Sequence, residues 1–384
     1  MIAPPYDVVD EAERKELASR SPYNAIHVEL PIEDPELGGD RYDNAARLFE
    51  TWQHEGALRS DDEACLYVHR MRFKDEAGID RSSTGVIGAL GVDATGSGSV
   101  LPHERTMPKP KGDRLDLLRA TAINTSPIWG LSLSEGLTEA CVAATGGLPP
   151  SAHATDDEGI IHELWPVVDP DSVSRICSLI EKTPIVIADG HHRYETAIFY
   201  RQERREHNGD EPGAYDLVMA LVVELTEDEL FVQPIHRLLS GLPAGLDLLE
   251  AFEPFFEISE GSGDIGSLTE EMASKGALGL VYEGRHHLLV PRPIVEEQAE
   301  AALDSSRLDV ALAELGTHNL EYQHGARLAA AMVEQGLAEA AVLLRPATVA
   351  QIAETAHSGR RMPPKTTFFQ PKPRTGMVFR PVGS

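Results

Sequence analysis

Apolar positions recur along this chain with two periods, about two residues in some stretches and about 3.6 in others. The longer spacing predicts amphipathic helices over residues 10–20, 42–56, 114–122 and 172–182. Alternation, or a short continuous apolar run, predicts strands over 25–30, 64–73, 85–92, 128–133, 160–168 and 216–224. The pair 64–73 and 85–92 reads as a hairpin around the polar turn 75–83. In the 25–30 strand, His27 and Glu29 alternate with Ile26, Val28 and Leu30. Glu29 is then either a solvated strand residue or a carboxylate turned into a site. Further on, helices are expected over 247–252, 294–301, 307–314, 325–334 and 349–358, with strands near 278–282, 287–289 and 340–344. That region carries neither a chemical motif nor an internal repeat.

One stretch organises the rest: residues 183–207, TPIVIADGHHRYETAIFYRQERREH. The apolar run 184–188 predicts a buried strand, and Asp189-Gly190 stops it. Gly190 permits a sharp turn, and Asp189 is a good N-cap for the charged helix that begins at His191-His192-Arg193. Unpaired N–H groups in a helix's first turn, with its dipole, attract anions. His191, His192 and Arg193 add donors suited to phosphate. The alternative is ordinary turn chemistry before a solvated first turn. Zinc suits the pair less well, because adjacent helical residues point about 100° apart rather than along one face.

Composition narrows the classes. The chain has 384 residues, 42% of them hydrophobic, and a formal net charge of −28. No apolar run approaches the ~20 residues that span a bilayer, and the opening lacks the pattern of a secretory leader, so we expect a cytoplasmic protein. Cys65, Cys141 and Cys177 are odd in number and far apart, which argues against a disulfide framework. The acidic balance opposes nucleic-acid binding, which rests on Lys and Arg neutralising phosphates. Only eight of the 34 basic residues are lysine. The chain opens on MIAPPYDVV, an extended Pro-rich turn with no strand before it, and we expect a first strand upstream of it.

Against this acidic background two segments are basic. Residues 103–112 carry His103, Arg105, Lys109 and Lys111 against the single acid Glu104, in a loop ahead of a helix that Asp113 can cap. This is a second candidate anion contact, or a basic surface loop. From Thr355 to Ser384 there is no Asp or Glu, while Arg360, Arg361, Lys365, Lys372, Arg374 and Arg380 are all positive. With Phe368-Phe369 and Met377-Val378-Phe379 beside them, we favour a basic strand and loop lining an anion pocket over a disordered tail. Gln233-Pro234-Ile235-His236-Arg237 is another His-Arg pair, read mainly as structural. The pattern as a whole implies a mixed α/β (α+β) fold. A main domain over 1–242 carries DGHHR, an α/β subdomain covers 243–345, and a basic segment, 346–384, packs back on the main domain.

Four blocks in order, PPYDVV, PHERT…KGDRLDLL…NTSPI, ADGHHRYETA and MPPKTTFFQPKPRTG, closely resemble the prokaryotic family filed as domain of unknown function 1015. The DGHHR core is more distantly similar to the ParB/sulfiredoxin-like superfamily, which includes free-serine kinases. That resemblance implies a ParB/sulfiredoxin-like core and phosphoryl contacts at Gly190, His191, His192 and Arg193, with Asp189 for catalysis or Mg²⁺. It implies an acidic base, for which Glu29 and Glu104 are the candidates. The DNA-binding role of ParB relatives does not carry over, for want of a basic recognition helix. Sulfiredoxin chemistry does not either, since the block holds no cysteine.

The reading is a phosphotransferase that moves a phosphoryl group from ATP, ADP or pyrophosphate to a small hydroxyl acceptor, with free L-serine the best guess. Asp189, His191, Glu29 and Glu104 are its candidate catalytic residues. Gly190, His192, Arg193, Lys109, Lys111, Lys365, Lys372 and Arg374 would hold the donor. Partners are a nucleotide and a small molecule such as an amino acid, with no nucleic acid and no membrane. The alternatives are a nucleotide-binding regulatory module without turnover, and a phosphatase or other hydrolase.

Overall fold

A computed structural model describes residues 2–34, 38–75, 78–93, 97–102, 112–209, 211–358 and 362–383. It is mixed α/β and divides into two compact units. The first comprises the described residues up to Phe231 together with 371–383, and the second comprises those from Val232 to Gln370. Among the described residues no helix is long and apolar enough to cross a membrane.

The first unit begins with three helices, α1 (Glu11–Arg20), α2 (Ile26–Glu29) and α3 (Arg41–His54). Strands β1 (Leu66–Lys74), β2 (Asp80–Gly91) and β3 (Val100–Pro102) follow, then α4 (Gly112–Thr121), β4 (Ile123–Asn124) and β5 (Ile128–Ser132). Next come α5 (Leu137–Ala144), β6 (Ala152–Thr155), β7 (Ile161–Val167) and α6 (Pro170–Ile180). The series ends with β8 (Ile185–Asp189), α7 (His191–Asn208) and β9 (Leu217–Glu224). Eight strands form one sheet in the order β3-β8-β5-β9-β2-β1-β7-β6. The predicted hairpin is β1–β2, paired from Tyr67↔Ile87 to Lys74↔Asp80, so its strands run further than the sequence pattern and its turn is shorter. The continuous apolar run 217–224 is β9, central in the sheet, as a strand buried on both faces should be. Val86, Ile128, Ile185, Ile187 and Val222 pack there with Leu137 of α5, Ile176 of α6, and Tyr194 and Ala197 of α7.

Residues 25–30 are not the expected strand. The Asn24 side chain accepts a hydrogen bond from Ile26 N–H, and Glu29 N–H and Leu30 N–H close helical turns on Ala25 and Ile26. The alternating apolar pattern was too short to tell one period from the other, and packing decided it. Ile26 joins Ala3 and Leu17, while Val28 joins Trp52 and Leu117, so opposite sides of one helical turn are both buried. Pro31 cannot continue the helix. The C-terminal residues close this unit: Ala3 bridges Thr375, Phe379 meets Phe49 edge-on at 5.3 Å, and β17 (Arg380–Pro381) pairs with β4.

The second unit starts one residue into β10 (Phe231–Ser240) and goes on through α8 (Leu248–Phe252), β11 (Phe256–Glu260) and α9 (Ile265–Lys275). It continues through β12 (Leu278–Tyr282), β13 (Arg285–Pro291), α10 (Pro293–Gln298), α11 (Asp304–Leu312) and β14 (Asn319–His324). It ends with α12 (Ala326–Glu334), β15 (Ala340–Leu343), α13 (Val349–His357) and β16 (Thr367–Gln370). Its sheet runs β11-β13-β12-β15-β10-β14, with β16 also on β10. Two apolar clusters pack against it, one around Phe252 and Phe256, the other around Leu268 and Met272. His236 and Arg237 lie within β10 as buried residues: His236 Nδ1 accepts from Leu344 N–H at 3.1 Å, and Arg237 donates to Ile235 O at 2.7 Å.

The β2–β9 pair leaves no room at Gly85, where an added Cβ would lie 2.5 Å from Val222 O and 2.7 Å from Val223 Cγ2. Gly85→Ala should therefore cost about 1–3 kcal/mol by overpacking. It would be read as a lower urea midpoint for the first unit, and an unchanged midpoint would show that the strands spread without strain.

Candidate functional site

Sheet order explains where the site forms. Strand β5 is antiparallel to β8, with Trp129 opposite Asp189, so the start of β5 lies beside the end of β8. The Thr125-Ser126-Pro127 turn before β5 thus meets the Asp189-Gly190 turn after β8. A one-residue register shift at Trp129/Gly130 falls next to Asp189, and such bulges re-aim side chains. Gly190 has φ +89°, and a Cβ there would come within 3.1–3.2 Å of the Arg193 guanidinium. Only glycine meets both conditions. Helix α7 then runs 18 residues with no side chain capping its start, anchored by Tyr194 and Ala197 in the core.

Asp189 does not cap α7, as its position in sequence suggested. Its Oδ2 accepts from Arg193 Nη2 at 2.7 Å and its Oδ1 from Lys372 Nζ at 2.9 Å. Burial alone would raise this carboxyl, but the Lys372 ammonium and the Arg193 guanidinium outweigh it and hold the group below its ordinary value. Lys372 also lies 3.9 Å from Asp7 Oδ2. Arg193 folds back over Gly190, donating from Nη1 to Pro127 O and, at 3.2 Å, to Ser126 Oγ.

Ser126 Oγ in turn donates to Glu29 Oε1 at 3.4 Å. Glu29, at the end of α2, is 1% exposed. Arg114 Nη1 lies 3.7 Å from Glu29 Oε1 and donates to the Glu29 carbonyl at 2.7 Å. The Arg114 guanidinium stacks over the Tyr6 ring at 4.4 Å and pairs with Asp113. Burial, opposed first by Arg193, holds the Tyr6 phenol above its ordinary value. Glu29 Oε2 is buried with no hydrogen-bond partner among the described residues. A small cavity of about 40 Å³ is lined by Glu29, Arg114, Ser126, Arg193 and Thr196, among others.

The structure therefore brings Glu29, Asp189, Gly190, Arg193 and Lys372 into one connected group, with His191 and His192 half-buried on the first turn of α7. Arg374 departs from the expectation of a donor contact: its guanidinium is 6% exposed and spent on Asp156 and Glu158, both at 2.6 Å. Lys365 stands in the second unit, at φ +59° in the turn before β16. Glu104, Lys109 and Lys111 lie outside the described residues. Sequence reasoning passed over Ser126, Asp7, which lies in the Pro-rich opening turn, and Arg114. The signal available was their membership of the NTSPI, PPYDVV and KGDRLDLL blocks.

Asp189 is not a preformed metal site. No three His, Cys, Asp or Glu side chains converge into a metal-binding group among the described residues. Both Asp189 oxygens already face cations, one of which a divalent ion would have to displace.

The family described as Protein of unknown function (DUF1015) matches residues 1–311. Comparison with curated proteins gives no match. Among solved structures, a conserved hypothetical protein from Pyrococcus furiosus is 17% identical, covering 74% of this chain and 90% of that one, with a TM-score of 0.37. A free serine kinase in complex with AMP is 17% identical, covering 74% and 86%, with a TM-score of 0.37. SbnI with a C-terminal truncation, from Staphylococcus aureus, is 12% identical, covering 74% and 82%, with a TM-score of 0.38. At these scores the likeness carries no functional argument.

The buried network under Arg374 makes stability depend on pH. Asp156 accepts from Arg374 and lies 3.1 Å from His162 Nε2, and His162 Nδ1 lies 3.3 Å from His69 Nε2. Burial, helped by the neighbouring His162, pushes His69 down to about 3 from its ordinary 6.5. Between those values the unfolded chain binds a proton at His69 that the folded chain does not. Stability should therefore fall as pH drops below 6.5, by about 1.4 kcal/mol per pH unit for this one proton. For Asp156, burial would raise the carboxyl, but the His162 and Arg374 contacts hold it at about 2, so its contribution is lost only below the ordinary 3.8. Urea midpoints at pH 7, 5.5 and 4.5 should drop steadily for the wild type and less steeply for His69→Gln. Parallel slopes would contradict the assignment.

Proposed function

We propose that this chain, which belongs to the DUF1015 family, is a phosphotransferase that passes a phosphoryl group from ATP, ADP or pyrophosphate to a small hydroxyl acceptor. The observation that carries this reading is the buried Glu29 carboxylate, with one oxygen unpartnered among the described residues, linked through Ser126 and Arg193 to the Gly190 turn at the start of α7. A base and an anion-binding helix start are two of the parts that a protein supplies for phosphoryl transfer to a hydroxyl. We read the strand–turn–helix β8–α7 as the ParB/sulfiredoxin-like core. Free L-serine is the acceptor implied by the resemblance of DGHHR to free-serine kinases, and a cytoplasmic setting suits such an acceptor.

The first-turn N–H groups of α7, with His191 and His192, hold the oxygens of the transferred group. Arg193 and Lys372 supply positive charge beside them. Asp189, kept ionised by those two cations, is a poor proton acceptor near neutral pH, and its part is to fix them in place. Glu29 Oε2 takes the proton of the acceptor hydroxyl as its oxygen bonds to phosphorus and the donor's bridging oxygen leaves with the electron pair. No step is assigned to a protein-bound metal.

Phosphorus NMR on the purified chain with magnesium chloride tests the reading, offering ATP, ADP or pyrophosphate with and without L-serine. A new phosphomonoester signal should appear only with serine, and Glu29→Gln should slow it by about 10²–10⁴-fold, the usual worth of a general base. Donor consumed without an acceptor would make the chain a hydrolase. Donor bound but never consumed would make it a nucleotide-binding module.

A further inference from the structure

We infer that Ser126 is a positioning residue that selects which oxygen of Glu29 receives the acceptor's proton. The inference rests on the phosphotransferase reading and deepens it. Ser126 is 5% exposed and joins the two halves of the site, 3.2 Å from Arg193 Nη1 and 3.4 Å from Glu29 Oε1.

The direction of these two bonds is forced. A guanidinium has no acceptor, so Ser126 Oγ must accept from Arg193. Its single proton is then left for Glu29, and the hydroxyl donates to Oε1. Arg114 Nη1, at 3.7 Å, attends the same oxygen. Both contacts fall on Oε1, while Oε2 has none among the described residues. The carboxylate is thereby pinned in rotation, with Oε2 as its reactive atom, and Glu29 lines a cavity of about 40 Å³ whose polar wall includes Ser126, Arg193 and Thr196. That volume suits one hydroxyl-sized group or a water. Arg193 is itself held by Asp189 and Pro127. The orientation of the base is thus referred, through one serine, to the same turn that holds the phosphate.

A residue that merely shaped the turn before Pro127 would leave different traces. Removing the hydroxyl should leave Arg193 on Pro127 and Asp189, so donor binding should hold while the chemical step suffers. Ser126→Ala should lower kcat by about 10–100-fold, the scale of a misplaced catalytic group, with the donor KM changed by less than about threefold. Ser126→Thr, which keeps the hydroxyl, should recover most of the rate. Thermal melts of both variants check that each is folded.

The arms separate the two claims. No phosphoryl transfer by the wild-type chain sinks the phosphotransferase reading and this inference with it. Wild-type transfer that persists undiminished in Ser126→Ala overturns the role of Ser126 alone. So does a loss confined to donor KM, or one that Ser126→Thr fails to recover in a folded protein.

Discussion

A largely buried carboxylate, Asp189, sets the terms for the end of β8. Taking a charge out of water costs several kcal/mol unless partners compensate, and here two cations, one near in the chain and one far, do so. Arg193 comes from the next helical turn, and Lys372 from 183 residues further along. Meeting Asp189 draws Arg193 back over Gly190, which explains why that position has no side chain. Arg193, so placed, reaches Ser126 and through it Glu29. One unfavourable burial thus propagates into an ordered polar chain across the first unit.

The basic C-terminal stretch takes on a different meaning in that light. Lys372 answers Asp189, Arg374 answers Asp156 and Glu158, and Arg380 donates to Asn124, Leu217 O and Ala214 O. In a chain of net charge −28, these residues act first as internal counter-ions and donors that fasten the segment to the body. Only Lys372 does so at the Gly190 turn. An absence of acids over the last thirty residues is what such a role requires, because any carboxylate there would compete for the same cations.

What was legible in the sequence had local causes. A short apolar run stopped by Asp-Gly ahead of a charged helix needed no partner to be read, and β8 and α7 lie where it placed them. The helices expected over 10–20 and 172–182 likewise appear as α1 and α6, where Asp10 and Asp169 cap their starts. What depended on distant partners was not legible. Helix α2 is settled by burial on two sides, and β6, β11 and β14 pair at sheet edges without a clear alternating pattern. Lys372 and Arg374 look equivalent, two residues apart, yet one reaches the site and the other is buried on Asp156. Ser126 is passed over until the pairing of Trp129 with Asp189 shows what the turn faces.

The central claim is that the start of α7 binds a phosphate beside Glu29. A crystal structure of the full chain with bound pyrophosphate tests it most directly. The account predicts phosphate oxygens within hydrogen-bond distance of the His191 and His192 backbone N–H groups, with the Asp189–Lys372 pair intact and Glu29 Oε2 facing the ligand. Pyrophosphate seated elsewhere, with the first turn of α7 unchanged and solvated, would contradict it.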